Sequence, residues 1–338
     1  MRDVRSGILC GGSILIDVNT VVDRYPPQEH VAIIEEEELD SGGPAFNMAV
    51  NLSRLGAPFP VDLVGLVGDD AHGRLALEIC RRAGIGTRGV AVRVGLATSY
   101  TRVMIVRGDG RRTFFHRKGA NAVLSATQFD FAGAAAKIFH LGAPGVHDEL
   151  DRPTEGGNGF SEVLARAKKA GLETNLELVS VAPERIRALA RPCLPHLDFI
   201  VINEVEASAL TGVPVGGPGP DWPAAGAAAR ALLALGVSRL AVIHFPEGAV
   251  AAERGGRDYR QGSVRVPPGD IKSTNGAGDA FASGVLFGLH EGHPVQQCLK
   301  AGACVAAVSL ASHGPSGAIR PLAECLAYGE RAGYRPAR

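Results

Sequence analysis

The sequence predicts an α/β protein with a doubly wound, mostly parallel sheet flanked by helices and a small β-sheet lid. Apolar runs of strand length alternate with segments of helical period along most of the chain, a pattern typical of parallel strands joined by helical crossovers. Two segments, at about 14–40 and 98–118, interrupt this alternation and are predicted to form the lid. Because an α/β domain of 338 residues is of ordinary size, residues 1–338 are predicted to be one domain.

The elements of the main sheet follow from the apolar patterns. Strands are predicted at 8–15, 61–67, 137–141, 172–176, 199–202 and 240–244. Helices are predicted at 46–55, 73–83, 160–170, 183–190, 204–210, 223–235, 278–291 and 294–312. The stretches 143–159 and 212–224 are rich in glycine and proline, so they are predicted to be loops.

The lid prediction depends on strand-like patterns outside this alternation. Residues 98–117 alternate with a period of two on both sides of Gly108-Asp109-Gly110, which is a strong hairpin signal. The acidic run at 35–38 is interpreted as a solvated strand edge rather than a metal site. Since open strand edges favour pairing with a second copy, we expect a homodimer formed through the lid.

Composition excludes several classes of protein. Lys+Arg and Asp+Glu are both 35, and a net charge near zero argues against a nucleic-acid-binding protein. The six cysteines show no metal-type spacing, which favours reduced, buried thiols. No signal peptide is recognisable, and no window reaches the roughly 18 consecutive apolar residues that a membrane span needs. We therefore expect a cytoplasmic protein without a membrane partner.

The most informative motif is Gly-Ala-Gly-Asp at 276–279, directly before a helix rich in small residues. The backbone N–H groups of Gly276, Ala277 and Gly278 carry little side-chain bulk around them. A helix N-terminus presents unpaired N–H groups and a partial positive charge, which suits an anion. Asp279 then has two interpretations: an acid that complements the helix dipole, or a general base beside a phosphate site.

A second motif reads Ser-Gly-Gly-Pro-Ala-Phe-Asn-Met-Ala at 41–49 and continues through Gly68-Asp69-Asp70. Taken with 274–281, the alternation and the lid, it resembles the ribokinase-like (PfkB) carbohydrate kinase family over about 7–317. The resemblance implies ATP-dependent phosphorylation of a hydroxyl of a sugar or sugar acid, with Mg²⁺. It also implies that Asp279 is the general base and that the amides of Gly276, Ala277 and Gly278 form an anion hole.

The resemblance also implies a set of substrate-binding residues: Asp17, Gly42, Gly43, Asn47, Arg117 and Asn121. A carboxylate such as Asp17 offers about four lone-pair positions to a polyol, although a simple turn aspartate is an alternative. Asn47 would bind a sugar hydroxyl, or it could be a plain helix N-cap. Arg117 could bind a carboxylate or phosphate through bidentate hydrogen bonds, whereas an exposed basic residue at a strand end is usually only solvated.

On the nucleotide side, the resemblance implies roles for Asn203, Glu206, Thr274, Gly248 and Gly314. Asn203 and Glu206 match the family's Asn-x-x-Glu motif and would hold Mg²⁺ through its bound waters, with an ordinary helix cap as the alternative. The family has an acidic residue before the Thr of the second motif, where it helps to build a monovalent-cation site. Here the residue is Ser273, so the basis for K⁺ activation is missing. His244 is assigned no role.

The sequence also suggests two alternative functions and contains one misleading motif. A nucleoside kinase of the adenosine type is the first rival, with Phe46, Phe114 and Phe115 as possible contacts for a base. A catalytically silent, sugar-sensing protein on the same fold is the second rival. The stretch 84–89 matches the dinucleotide fingerprint in letters only, because it follows a predicted helix rather than a strand.

Overall fold

A computed structural model describes residues 5–107, 112–216 and 221–338 of the chain. The strands are β1 (Ile8–Gly12), β2 (Leu15–Val22), β3 (Ile34–Gly42), β4 (Val61–Gly68), β5 (Gly86–Arg93), β6 (Ser99–Val106), β7 (Arg112–Arg117), β8 (Ile138–Gly142), β9 (Pro153–Thr154), β10 (Gly157–Asn158), β11 (Glu173–Glu177), β12 (Phe199–Asn203), β13 (Leu240–Phe245), β14 (Gly248–Glu253) and β15 (Asp258–Gly262). The helices are α1 (Pro44–Arg54), α2 (Ala71–Arg82), α3 (Gly159–Lys169), α4 (Pro183–Ala190), α5 (Glu204–Thr211), α6 (Trp222–Ala234), α7 (Ala277–His290), α8 (Val295–Ser309) and α9 (Leu322–Ala332).

The large sheet has the strand order β15-β14-β13-β12-β11-β8-β1-β4-β5. Its strands from β13 to β5 pair in parallel, and β14 and β15 extend one edge antiparallel. From β1 the chain builds β4 on one side, and it later returns to place β8 on the other side. The strand order therefore reverses between β1 and β8. In open α/β sheets, ligands bind beyond the carboxyl ends of the strands at such a switch point.

Helices cover both faces of this sheet. In β12, Phe199 and Val201 pack into one core, whereas Ile200 and Ile202 pack into the other. The first core includes α1, α7 and α8, and the second includes α3 and α6. Strands that are buried on both faces have continuous apolar sequences, which explains why this part of the fold was predictable.

The small sheet has the order β3-β2-β6-β7. β2 pairs in parallel with β6, and the two outer pairs are antiparallel. β3 forms one edge, and the glutamates at 35–38 are exposed, as predicted for a solvated strand edge. The predicted turn at Gly108-Asp109-Gly110 lies outside the described residues. These four strands fall in or next to the two segments predicted to form the lid.

The predicted strand 8–15 was wrong as a single element. Gly12 has φ +117°, and a Cβ atom there would lie 1.7 Å from the Gly142 carbonyl oxygen. The chain changes direction at this glycine, and Leu15 begins β2 in the small sheet.

Several elements were not predicted. β5 is a half-exposed edge strand, and β14 is rich in alanine, so neither has the β-branched, apolar character that marks the central strands. α9 follows the last predicted helix, which ends at Ser309 rather than at 312. The predicted loop 143–159 contains the two short strands β9 and β10. Among the described residues, we find no helix with the length and apolar character that crossing a bilayer requires.

Candidate active site

Two neighbouring cavities lie beyond the carboxyl ends of the central strands. The first, named the carboxylate cavity, has a volume of about 570 Å³, and four acidic side chains line it: Asp17, Glu177, Glu206 and Asp279. The second, named the apolar cavity, has a volume of about 540 Å³. Its aliphatic lining comprises Val205, Val264, Val266, Ile271, Ala303, Ala306, Ala307 and Leu310. The residues that line both cavities are Arg112, Asn203, His244 and Gly278. The cavities therefore meet at the N-terminus of α7.

The N-terminus of α7 is built around Gly276. This residue caps the helix with φ +72°, and a Cβ atom there would lie 2.3 Å from Pro315 Cβ, so only glycine fits. Gly276 and Gly278 both line the carboxylate cavity, whereas Ala277 lines only the apolar cavity. The Ala277 N–H donates to the Thr274 carbonyl at 3.3 Å. The predicted trio of free amides is thus corrected: the Ala277 amide already has a backbone partner.

Asp279 lies in the first turn of α7 and faces the carboxylate cavity. Asn47 Nδ2 donates to Asp279 Oδ2 at 2.6 Å. Asn47 is inside α1, whose N-cap is Gly43, so the N-cap alternative for Asn47 is wrong. Its amide is directed at Asp279, while its Oδ1 is buried without a partner in the described part of the chain.

Asp17 lies in β2, opposite Asp40 of β3, and is almost fully buried. Burial raises the pKa of Asp17 to about 8, and the charges of Asp279 and Asp40 add to this effect. Gly42 makes room for this carboxyl group, because a Cβ atom at Gly42 would lie 2.5 Å from Asp17 Oδ1. Gly43 also lines the carboxylate cavity and has φ +83°.

Asn203 and Glu206 form a reciprocal cap at the start of α5. Asn203 Oδ1 accepts from the Glu206 N–H at 2.9 Å, and Glu206 Oε2 accepts from the Asn203 N–H at 3.1 Å. Both residues also line the carboxylate cavity. Burial raises the pKa of Glu206 to about 7, against the opposing effect of the Asn203 hydrogen bond. The cap and the cavity position therefore coexist.

Thr274 and Gly248 line the apolar cavity. Arg112 reaches from β7 to this region, where its Nη2 donates to Thr274 Oγ1 at 2.8 Å. Ser273 is buried, and its Oγ accepts from the Asn275 N–H at 3.0 Å.

Four predicted site residues line neither cavity: Gly42, which lies beside Asp17, and Arg117, Asn121 and Gly314. Arg117 is exposed on the face of β7 opposite to that of Arg112, because side chains alternate along a strand. Asn121 is fully buried. Its Oδ1 accepts a hydrogen bond from the Ile14 N–H, and its Nδ2 donates one to the Ile14 carbonyl. Gly314 packs on Asp40, where a Cβ atom would lie 2.4 Å from Asp40 Oδ2. The structure therefore does not bring Arg117, Asn121 or Gly314 to either cavity, and their predicted roles stay predictions.

Arg112, Glu177 and His244 are among the residues that line the site and to which the sequence assigned no role. Arg112 belongs to the period-2 pattern of β7, and that pattern does not reveal which face meets the cavity. Glu177 is the last residue of a buried strand, where a charged side chain is a usable signal. Burial lowers the pKa of His244 to about 4, and its ring packs against Phe281 with 5.1 Å between ring centroids.

The sequence profile of the family described as "pfkB family carbohydrate kinase" matches residues 5–321. The chain belongs to this family. The protein named "Probable fructokinase-7" from Arabidopsis thaliana is 32% identical over 302 residues, which cover 85% of this chain and 80% of that protein. This member of the pfkB family is therefore a phosphotransferase with an alcohol group as acceptor.

Solved structures support the predicted ribokinase-like fold. Arabidopsis thaliana ribokinase, solved with ribose and ATP, has a TM-score of 0.76 at 21% identity and covers 97% of this chain and 99% of its own. Adenosine kinase from Sinorhizobium meliloti has a TM-score of 0.75 at 22% identity, covering 97% of this chain and 100% of its own. The predicted fold class and family are both confirmed.

Proposed function

We propose that this pfkB kinase transfers the γ-phosphoryl group of ATP to a hydroxyl group of an uncharged sugar held in the carboxylate cavity. The observation that carries the proposal is the position of the α7 N-terminus. Gly278 lines both cavities, and Asp279 follows it and faces the carboxylate cavity. A phosphoryl group at this junction would be accessible both from the apolar cavity and from the carboxylate cavity.

The chemistry follows from this placement. Asp279 takes the proton of the attacking hydroxyl, whose oxygen forms a bond to the γ-phosphorus as the bond to the β–γ bridging oxygen breaks. The amides of Gly276 and Gly278 and the positive end of α7 stabilise the negative charge on the moving group. Arg112 adds a guanidinium group at the junction of the cavities. The products are the sugar phosphate and ADP, which leaves from the apolar cavity.

The apolar cavity suits the base and ribose of a nucleotide. Its walls include aliphatic side chains from α8 and from residues 264–271, and its volume of about 540 Å³ lies in the range of small-molecule sites. Thr274, Gly248 and the α7 N-terminus lie at its polar end. A triphosphate would thus extend from this cavity toward Asp279.

The residues present also fit the Mg²⁺ that the family implies. The helix cap uses only one oxygen of Glu206, so its Oε1 is free to accept from a metal-bound water. Asn203 Oδ1 keeps a second lone pair for the same purpose. When bound, Mg²⁺ would offset the charge of the phosphates.

We propose an uncharged sugar rather than a sugar acid. The predicted carboxylate-binding residue, Arg117, lies away from the cavity, whereas four carboxyl groups line it. Buried carboxyl groups exchange hydrogen bonds with hydroxyl groups, and the Asp279 carboxylate among them would repel a second carboxylate.

A nucleoside is the second candidate acceptor. Phe114 lines the carboxylate cavity together with Leu15, Val146 and Leu178, and this apolar wall could pack on a base. A catalytically silent sugar sensor is the remaining alternative, which an activity test separates from both kinases.

The test is Asp279→Asn in a coupled ADP-release assay with a panel of neutral sugars, sugar acids and nucleosides. We expect the variant to fold normally and to lose most turnover, because this class of role contributes about 10²–10⁴-fold. Asp221→Asn is the matched control, since Asp221 caps α6 away from both cavities. Near-normal turnover by Asp279→Asn would refute the proposed base. Wild-type protein that binds sugars in thermal-shift measurements without releasing ADP would support the sensor instead.

We also propose that the small sheet is a lid and that two such sheets pair in a homodimer. Ile34 and Leu39 of β3 and Phe115 of β7 are large apolar residues that are exposed on this sheet. Burial of such residues between two copies would be favourable. Light scattering after size exclusion tests the dimer, and a monomer at micromolar concentration would contradict it.

A further inference from the structure

A row of buried polar side chains leads from the interior of the large sheet to Asp279. It begins in β8 and β11, which pair in parallel with Asn175 opposite His140 and Glu177 opposite Gly142. Asn175, His140 and Glu177 are 0%, 0% and 6% exposed. The proposed reaction uses none of them directly, and buried polar groups in such a position need an explanation.

The first contact in the row sets the state of the histidine. Asn175 Nδ2 donates to His140 Nδ1 at 2.9 Å, so Nδ1 acts as an acceptor. Burial lowers the pKa of His140 to about 3, so the ring is neutral near pH 7. In a neutral imidazole whose Nδ1 accepts, the single proton is on Nε2.

The second step in the row is a close approach without hydrogen-bond geometry. His140 Nε2 and Glu177 Oε2 are 3.3 Å apart, and within the described residues neither atom has a hydrogen-bond partner. An ionised carboxylate with a buried, unpartnered oxygen is costly, which favours a protonated Glu177. The opposite residue in β8 is Gly142, which leaves this space without a competing side chain.

The third contact joins the row to the proposed base. The Glu177 carboxyl group lies within hydrogen-bonding contact of the Asp279 carboxyl group, and both line the carboxylate cavity. Two carboxylates in such contact cannot both be ionised in a buried site, so one must hold a proton. Burial raises the pKa of Glu177 well above its usual range, and the charge of Asp279 adds to the effect. The α7 N-terminus favours negative charge on Asp279 instead.

We infer that Glu177 is a positioning residue whose protonated carboxyl group donates to Asp279 and holds that carboxylate toward the acceptor hydroxyl. In this arrangement one oxygen of Glu177 lies beside His140, and the other oxygen carries the proton that it donates to Asp279 in a hydrogen bond. Asn47 holds the opposite side of Asp279 through Oδ2. The base keeps its negative charge and a fixed orientation, and Glu177 keeps its proton during the reaction. The inference rests on the proposed role of Asp279.

If Glu177 is the donor and Asp279 the acceptor, the effects of two substitutions at position 177 can be predicted. A glutamine at 177 offers Asp279 the same kind of donor as a protonated glutamic acid, because its NH₂ group donates where the O–H group did. A methionine fills a similar volume but donates nothing. Glu177→Gln should therefore keep most of the wild-type kcat, whereas Glu177→Met should lose about 100-fold, as expected for a misplaced catalytic group. The KM for ATP should change in neither variant, because Glu177 lies outside the apolar cavity.

The experiment measures kcat and both KM values for wild type, Glu177→Gln, Glu177→Met and the control Glu173→Gln, with unfolding midpoints for each. Glu173 begins the same strand and pairs with Arg239 at the surface. Folded Glu177→Gln that is as impaired as Glu177→Met would overturn the inference, because an ionised glutamate would then be required. Wild-type kcat in both variants would overturn it as well. If Glu177→Met does not fold, Glu177→Leu takes its place with the same expected loss, because leucine also donates nothing.

Asp279→Asn is measured in parallel and separates the two failures. If Asp279→Asn retains turnover, the proposed function fails whatever the variants at 177 do. If Asp279→Asn is inactive while the two variants at 177 behave alike, only the positioning role fails.

Discussion

Gly278→Ala should remove most turnover while leaving the fold as stable as wild type or slightly more stable. Gly278 lies in the first turn of α7 and lines both cavities. A Cβ atom there would meet His244 Cε1 at 3.4 Å, an ordinary van der Waals contact, so the added methyl group causes no clash. Replacing a helical glycine by alanine contributes up to about 0.5–1 kcal/mol to stability. For a chain of this size, that corresponds to a rise in Tm of about 1–2 °C.

The effect on activity has the opposite sign. The methyl group would occupy the junction where the phosphoryl group must pass, and it would hold that group away from the amides. A displacement of about 1 Å can cost 10²-fold in rate, and one lost amide donor costs about 2.7–4 kcal/mol. We therefore expect kcat to fall at least about 100-fold.

Gly226→Ala is the matched control. Gly226 lies inside α6, and its nearest neighbour for an added Cβ atom is Arg230 Nη2 at 3.7 Å. It lines neither cavity, so the same substitution should raise Tm and leave kcat unchanged. The assays are the coupled ADP-release assay and thermal unfolding. Wild-type kcat in folded Gly278→Ala would refute the placement of the phosphoryl group.

Three further outcomes are expected. Asp17 has a pKa of about 8 in the folded protein, above its value in the unfolded chain, so the folded state binds more protons. The folded state therefore loses stability as the pH rises from about 4 to 8. The Tm of Asp17→Asn should exceed that of wild type at pH 8, and the difference should close at pH 5. Arg112→Ala should raise the KM for ATP about tenfold or more, the cost of a lost charged hydrogen bond, whereas Arg117→Ala on the opposite face of β7 should not change it. Because the resemblance implies that Ser273 stands where the family has an acidic residue of a monovalent-cation site, we expect that exchanging Na⁺ for K⁺ leaves kcat unchanged, and activation by K⁺ would contradict this.

Short sequence motifs could predict those parts of the site that are formed by residues close together in the chain. The α7 N-terminus is one example, since Gly276 and Gly278 determine the turn and Asp279 follows directly. The reciprocal cap of Asn203 and Glu206 is another example, because its two residues are three positions apart in the sequence at the start of one helix. In both cases a few adjacent residues specify the geometry.

The remaining parts depend on register and on contacts between distant segments. A period of two identifies β7 as a strand, but it cannot say whether Arg112 or Arg117 faces the cavity. Gly314 lies against Asp40, and no local pattern connects residues so far apart in the chain. Glu177 gains its meaning only from Asp279 of α7, which lines the same cavity.

The charge of the site explains how four acids can surround the binding site for an anionic nucleotide. Burial raises the pKa of Asp17 to about 8 and that of Glu206 to about 7, and it raises that of Glu177 further above its usual range. Near neutral pH, these three groups therefore carry less negative charge than their number suggests. Asp279 lies at the positive end of a helix, where the dipole favours an anion. The proposed base therefore lies where the fold stabilises a negative charge. The buried acids around it can serve as hydrogen-bond donors to substrate and base without repelling the phosphates.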